Sequence, residues 1–210
     1  MRLTVFGATG GVGGEIVRQA LEAGHEVTAV VRDPARLTVT GDRLHVVRAD
    51  LSDPHTLRGA VAGRDAVLSG LGARSRKDAG VTARLTRAVL AAMAAEGTWR
   101  LVIVSAAPVG PAPEDDGLLD RALRAVVSAV LRDTYADLRE TESELARSTA
   151  EWTSVRPPRL LDRPLTGRYR TVVGGSPRAG RTIGRADVAH AMLATIGDPA
   201  TVRQGIGVAY

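Results

Sequence analysis

Two periods of apolar residues take turns along this chain. Arg2-Leu3-Thr4-Val5-Phe6 alternates and is rich in β-formers, which predicts a strand. From Gly14 to Ala23 the apolar residues Ile16, Val17, Ala20 and Leu21 recur at i, i+1, i+4 and i+5, one face of a helix. Ala23-Gly24-His25 stops that helix, and Glu26–Val31 follows as a nearly continuous apolar run, as in a strand buried on both faces. Leu44–Arg48 is a third strand. Asp53 before Pro54 is an N-cap with proline at the first helical position, opening a helix that ends near Gly63. Ala66–Ser69, Val81–Glu96 and residues 100–105 continue as strand, helix and strand.

The second half is less regular. Residues 108–117 form a Pro/Gly/acidic surface loop, and 118–148 are helical in pattern with a break near Asp133. Residues 152–156 read as a sixth strand stopped by Pro157-Pro158. Residues 163–183 hold two Gly/Pro turns and short extended pieces. A last helix spans 187–196, and 205–210 can close the sheet. Alternating strands and helices with short connections predict an α/β fold, a doubly wound parallel sheet of Rossmann type. No repeat, linker or second core interrupts it, so 1–210 is expected to be one domain, its substrate side built mainly from 105–185. In such sheets ligands bind beyond the carboxyl ends of the strands.

Between the first strand and helix stand Gly7, Gly10 and Gly13, in the order Gly7-Ala8-Thr9-Gly10-Gly11-Val12-Gly13. A dinucleotide pyrophosphate needs a tight turn out of a strand, a backbone it can approach, and helix N–H groups aimed at the anion. The spacing is G-x-x-G-x-x-G rather than the usual G-x-G-x-x-G. A Cβ at Gly10 would stand where the phosphate belongs. At the end of the second strand, Arg32 and Arg36 can clamp a cofactor 2′-phosphate, which favours NADP(H) over NAD(H). Asp33 is the competing candidate, as a ribose ligand, but preceding Pro34 it reads better as a helix cap.

Composition narrows the classes. The 210 residues are 44% hydrophobic, enough for one full core. There is no cysteine, so no disulfide framework, thiolate nucleophile or thiolate metal site is available. His25, His45, His55 and His190 are scattered, so no metal site is expected, and Glu114-Asp115-Asp116 reads as a solvated loop. Net charge is +5 and the pI about 10.5, which suits an anionic cofactor. Aromatics are only 3% and no basic run interleaves with them, so nucleic acid is not an expected partner. Without a signal peptide or long apolar span, the expected location is cytoplasmic, with no membrane partner, as a monomer or weak homodimer.

Two further places carry candidate chemistry. Ser105 ends the fifth strand, where it can bond a nicotinamide carboxamide or an acceptor, or its own backbone. Tyr135 has Arg139 four residues on, where short-chain dehydrogenases place lysine to lower a tyrosine pKa for proton transfer. A surface tyrosine on an amphipathic helix is the alternative. Arg181, after Gly180, can meet an anionic substrate group.

Several motifs then line up in order: the glycine stretch, Val31-Arg32-Asp33 with Arg36, Ala49-Asp50-Leu51, Leu71-Gly72-Ala73-Arg74, Ser105, Pro157-Pro158 and Pro164-Leu165-Thr166-Gly167-Arg168-Tyr169. In these the chain resembles the NAD(P)H-binding atypical short-chain dehydrogenases, and within them the biliverdin-IXβ reductase/flavin reductase subgroup. The resemblance spans nearly the whole chain. It implies NADPH-dependent reduction of a small-molecule acceptor: a flavin, or a similar planar molecule such as a biliverdin-like tetrapyrrole or quinone. It also implies roles. Thr9, Gly10 and Val12 would hold the pyrophosphate, with Gly7, Gly11 and Gly13 beside them in the cofactor site. Arg32 and Arg36 would take the 2′-phosphate, and Asp50 and Leu51 would border the adenine. Leu71, Gly72 and Arg74 would line the cofactor channel, and Ser105 would face the nicotinamide. Pro158 and Arg159 would lie on the substrate side, although Arg159 stands where the vertebrate flavin reductase carries histidine. Two other functions fit the same motifs: an NADP(H)-sensing regulator without turnover, and a dehydrogenase or epimerase using Ser105 and Tyr135.

Overall fold

The computed structural model describes residues 1–72, 80–111 and 129–210. The strands β1 (Arg2–Phe6), β2 (Glu26–Val31), β3 (Leu44–Arg48), β4 (Ala66–Ser69), β5 (Arg100–Val104) and β6 (Glu151–Arg156) form where the sequence alternates or runs apolar. Beyond them lie β7 (Arg159–Leu161), β8 (Arg170–Val173), β9 (Thr182–Gly184) and β10 (Gln204–Ala209). The longer helices are α1 (Gly11–Glu22), α2 (Pro54–Val61), α3 (Val81–Glu96), α4 (Arg132–Arg147) and α5 (Arg185–Ala194).

Eight strands pair in the order β3-β2-β1-β4-β5-β6-β10-β8, and β7 pairs with β9 in a small parallel sheet. The main sheet is parallel except at β8, which runs antiparallel to β10. This is the expected doubly wound Rossmann-type sheet, with one antiparallel strand added at its edge. Between β8 and β10 the chain passes through β9 and α5, so this edge pairing joins segments more than thirty residues apart rather than the arms of a hairpin. Strand order grows outward from β1 in both directions, so the switch point of the winding lies between β1 and β4.

Side chains alternate between the two faces of the sheet. Leu3, Val5, Val27, Ala29, Leu68 and Val102 meet Ile16, Val17, Val188 and Met192 of α1 and α5. Phe6, Val30, Val67, Leu101 and Ile103 meet Leu57, Val61, Leu85, Val89, Met93 and Leu145 of α2, α3 and α4. α1 begins at Gly11, three residues earlier than its apolar period suggested, because glycine leaves no mark on a hydrophobic pattern. The expected break near Asp133 falls at a turn on Leu131. Residues 112–117 of the expected loop, and 118–128 of the expected helix, lie outside the described residues.

Three glycine backbones close the switch point. Gly7 has φ +74°, and a Cβ there would lie 2.6 Å from the Gly70 carbonyl carbon. A Cβ on Gly70 would lie 2.9 Å from the Gly13 Cα, and one on Gly13 would overlap the Gly7 carbonyl. The Gly70 N–H donates to the Phe6 carbonyl at 2.9 Å, which ties the end of β4 to the end of β1. Gly10 is different. A Cβ there would meet only the Gly7 oxygen, at 3.2 Å.

The opposite end of the sheet is held by Arg100, at the start of β5. Its guanidinium donates to the carbonyls of Ile196, Glu151 and Thr195 and to the hydroxyls of Thr153 and Thr201. Burial lowers its pKa, with Glu151 and Asp198 opposing that shift.

Two stability predictions follow the two ends of the sheet. Gly13→Ala should destabilise the fold by at least about 2 kcal/mol, because backbone must move, whereas Gly10→Ala should cost less than about 1 kcal/mol. Equal urea midpoints for the two variants would refute the three-glycine contact. Arg100→Leu should cost about 3 kcal/mol, since it strands several buried acceptors at once. Thermal denaturation of that variant within a degree or two of wild type would contradict the assigned role.

Candidate functional site

Six adjacent strands bring the sequence-predicted residues to one edge. Along the carboxyl ends of β3, β2, β1, β4, β5 and β6 stand Asp50, Arg32, the glycine turn, Leu71-Gly72, Ser105 and Pro158 in that order. From β2 to β5 this row covers about 14 Å, three strand spacings of about 4.8 Å. An elongated ligand, not a compact one, would touch all of it.

At its centre, α1 starts without a side-chain cap, since Gly10 is its extended N-cap residue. The first N–H groups of a helix need acceptors and carry the positive end of its dipole. Open space on the Cβ side of Gly10 gives an anion a way to them. Thr9 is half-buried in the turn. Val12, Leu51 and Leu71 have their side chains in the core, so these positions offer a ligand backbone only. Gly72 is exposed. Arg74 lies outside the described residues.

At the β2 end, Arg32 and Arg36 are both exposed. Asp33 is extended, and its carboxylate accepts from the Ala35 N–H at 3.1 Å, capping the short helix Pro34–Arg36. Its side chain is therefore engaged as a cap. Asp50 is likewise turned to its own loop. The Ser52 N–H and hydroxyl donate to it at 2.9 and 2.8 Å, and they hold its carboxyl below the usual range, with Arg84 and Arg32 adding to the effect.

At the β5 end, Ser105 is 8% exposed and its N–H donates to the Val155 carbonyl at 2.7 Å. Its Oγ is buried and meets no partner at hydrogen-bond geometry. Behind it lies an ion pair that sequence reasoning missed. Glu142 of α4 accepts from the Arg156 guanidinium through two nitrogens and from the Ser154 hydroxyl at 2.7 Å. Burial works to raise the Glu142 carboxyl; the bonds from Arg156 and Ser154 outweigh it and leave it below the ordinary value, with nearby Ser105 contributing least. Arg156 itself lies flat against Gly110 and Gly205, where any Cβ would overlap it.

Tyr135 is not the surface residue that an amphipathic helix allowed. It is 7% exposed, and burial raises its hydroxyl pKa, with Arg139 opposing weakly. The Tyr-x-x-x-Arg spacing does not produce the lowered value that the lysine version serves. Two residues on, buried Asp137 accepts from the N–H groups of Thr82 and Ala83 at 3.0 and 2.9 Å, capping α3 from a distance because its own N-cap is Gly80.

Past β6, Arg159 and Arg181 come together at the start of the β7–β9 pair, where the Arg159 N–H donates to the Arg181 carbonyl at 3.3 Å. Both are exposed. The run from Pro164 to Tyr169, which carried much of the resemblance, acts as a strut. Asp187 of α5 accepts from the Thr166 and Gly167 N–H groups, the Thr166 hydroxyl and, at 2.7 Å, Tyr210. Burial pushes the Asp187 carboxyl up, and these donors more than reverse it. Tyr169 bonds His190 at 2.6 Å, and burial pushes its hydroxyl up to about 12. Gly70, Glu142, Asp187 and Arg185 were not predicted. Gly70 could have been found as a glycine ending a strand that neighbours β1; the others leave no local signal. An open groove around Trp99, between α3 and α4, lies at the amino end of the sheet, away from all of these residues.

Among known proteins, the chain is 29% identical over 202 residues to the (4-alkanoyl-5-oxo-2,5-dihydrofuran-3-yl)methyl phosphate reductase of Streptomyces griseus, covering 92% of this chain and 62% of that one. The chain spans less than two thirds of the length of the curated relatives it matches. A solved protein from Burkholderia pseudomallei shares its fold with a TM-score of 0.82, at 26% identity and full coverage of both chains. A short-chain dehydrogenase/reductase from Veillonella parvula, in complex with NADP, does so with a TM-score of 0.79 at 19% identity, over 100% of this chain and 94% of that one. The model of the NAD(P)H-binding family matches residues 7–199. A match that begins on the first glycine of the turn and runs through the last helix leaves little outside it, and this chain belongs to the NAD(P)H-binding family.

Proposed function

We propose that this chain is an NADPH-dependent reductase that passes hydride to a flavin or a similar planar acceptor, biliverdin-like tetrapyrroles and quinones included. The observation that carries the reading is the uncapped start of α1 at Gly10, in line with Ser105 at the end of β5. The residues fit a dinucleotide. The glycine turn accepts its pyrophosphate, and Arg32 with Arg36 accept a 2′-phosphate. The backbone of Leu71 and Gly72 borders the middle, and Ser105 bonds the nicotinamide carboxamide. When bound, the cofactor supplies the hydride. The protein orients it and excludes water, which is most of what hydride transfer asks of a fold. The Ser105 hydroxyl has Glu142 nearby but no partner at full hydrogen-bond geometry, which leaves it able to bond a ligand. The proton that accompanies the hydride comes from solvent for a flavin, so no dedicated acid is needed. Arg159 and Arg181 flank the acceptor side and favour an acceptor with an anionic group. The Streptomyces relative, named for reducing a phosphate ester, supports a reductase reading and that preference.

Three experiments test this reading. Gly10→Val should abolish NADPH binding while circular dichroism stays native, and unchanged affinity would remove the turn from the site. NADPH with FMN or riboflavin should give steady turnover, reduced by a modest factor in Ser105→Ala, since a neutral hydrogen bond is worth on the order of 1 kcal/mol. NADPH binding without oxidation by any flavin, quinone or tetrapyrrole would instead indicate a sensor, and loss of turnover in Tyr135→Phe a tyrosine-dependent enzyme. For cofactor choice, Arg32→Ala with Arg36→Ala should weaken NADPH at least about tenfold and NADH far less, because charge-assisted bonds are worth about 1.5–3 kcal/mol each. Equal losses for the two cofactors would sink the 2′-phosphate assignment.

A further inference from the structure

Gly11, the first residue of α1, is glycine for a reason unconnected with the turn. A Cβ there would lie 2.5 Å from Cδ and 2.8 Å from Nε of Arg185. The Arg185 side chain thus lies across the first turn of α1 at Gly11, one residue on from Gly10. Arg185 is the first residue of α5, which packs beside α1 on the same face of the sheet. Gln19 of α1 donates to the Ala186 carbonyl at 2.8 Å, fixing the start of α5 against α1. So the arginine is anchored at its backbone, its Cδ and Nε lie over Gly11, and its guanidinium passes on from there to Asp162.

What the guanidinium holds there is a weak partner. Its Nη1 pairs with Asp162, a carboxylate 90% exposed, while the Arg185 side chain is 31% exposed. An exposed pair of this kind contributes little. A guanidinium presents five donors in a planar fork, and a phosphate oxygen pair matches that fork better than a solvated carboxylate does.

We propose that Arg185 is a pyrophosphate-binding residue of the nicotinamide cofactor, held near its ligand by Asp162 and exchanging that carboxylate for phosphate oxygens when the cofactor binds. This rests on the reading that the pyrophosphate sits at the glycine turn. It adds a contact from α5, nearly 180 residues along the chain from the turn it completes. It also gives Gly11 a role: its missing side chain leaves room for the arginine rather than for the phosphate.

The test is calorimetric titration of wild type, Arg185→Ala, Arg185→Lys and Asp162→Asn with NADPH, with ADP-ribose, and with 2′-AMP, which has no pyrophosphate. Arg185→Ala should weaken NADPH and ADP-ribose at least about tenfold, flatten their salt dependence, and leave 2′-AMP within about twofold. Arg185→Lys should recover part of the loss, since it keeps the charge without the fork. Asp162→Asn should bind ADP-ribose as tightly as wild type or more so. Melting temperatures close to wild type should accompany all three variants. Unchanged ADP-ribose affinity in Arg185→Ala, with Gly10→Val still abolishing binding, would overturn the role of Arg185 and keep the site. A uniform loss across all three ligands, 2′-AMP included, would mark Arg185 as structural and overturn the proposal equally. No binding of NADPH or ADP-ribose by wild type would overturn both the proposal and the site on which it rests.

Discussion

The contact among Gly7, Gly13 and Gly70 sets the geometry of everything at the carboxyl edge. Three backbones from β1, α1 and β4 approach where no side chain fits. Because they do, α1 can leave β1 at once and aim its first N–H groups over the point where the winding reverses. Because β4 ends on Gly70, its chain passes close beside that turn, carrying Leu71 and Gly72 to the same edge. Side chains hold the rest of the sheet together on both faces. Here the absence of side chains does so, and a single methyl group would separate the strand ends that the row of candidate residues spans.

Around this point the charged groups divide by sign. The described carboxylates near the edge are mostly engaged in the fold: Asp33 and Asp50 hold their own loops, Asp137 caps α3, Glu142 grips Arg156, and Asp187 anchors residues 166–167. Arg32, Arg36 and Arg159 remain exposed there. With these acids tied up, the three arginines at this edge keep their positive charge accessible. An anion arriving at the edge meets donors, with few free carboxylates to oppose it.

Much of this was legible in the sequence. Local periods gave the first five strands and the helices between them, because burial on two faces leaves long apolar runs and glycine and proline mark their ends. Asp33 as a cap was readable from Pro34 beside it. The departures have physical causes. Glycine carries no hydropathy signal, so the start of α1 moved by three residues. β8 turned back because its partner is β10, a pairing across more than thirty residues that no local pattern encodes. The burial of Tyr135 is absent from the sequence pattern because a single helix face cannot reveal what packs over it. The motif from Pro164 to Tyr169 has a physical role that its residues do not announce, docking on α5 through Asp187. Arg185 and Glu142 were invisible for the same reason: each acts on a residue far off in sequence.

Arg100 carries a consequence for how the chain comes into being. Its partners Thr195, Ile196 and Thr201 lie 95 to 101 residues further along. At about 5–20 residues per second, a ribosome needs roughly 5–20 seconds to supply them. During that interval a guanidinium at the head of a central strand has at most Glu151 and Thr153 to bond, and burying β5 at that end before the other acceptors exist carries a penalty. The strands β1 to β4, complete by residue 69, have no such debt and can gather first. At Arg100, then, the head of β5 is satisfied in full only by a helix and a turn that are made last.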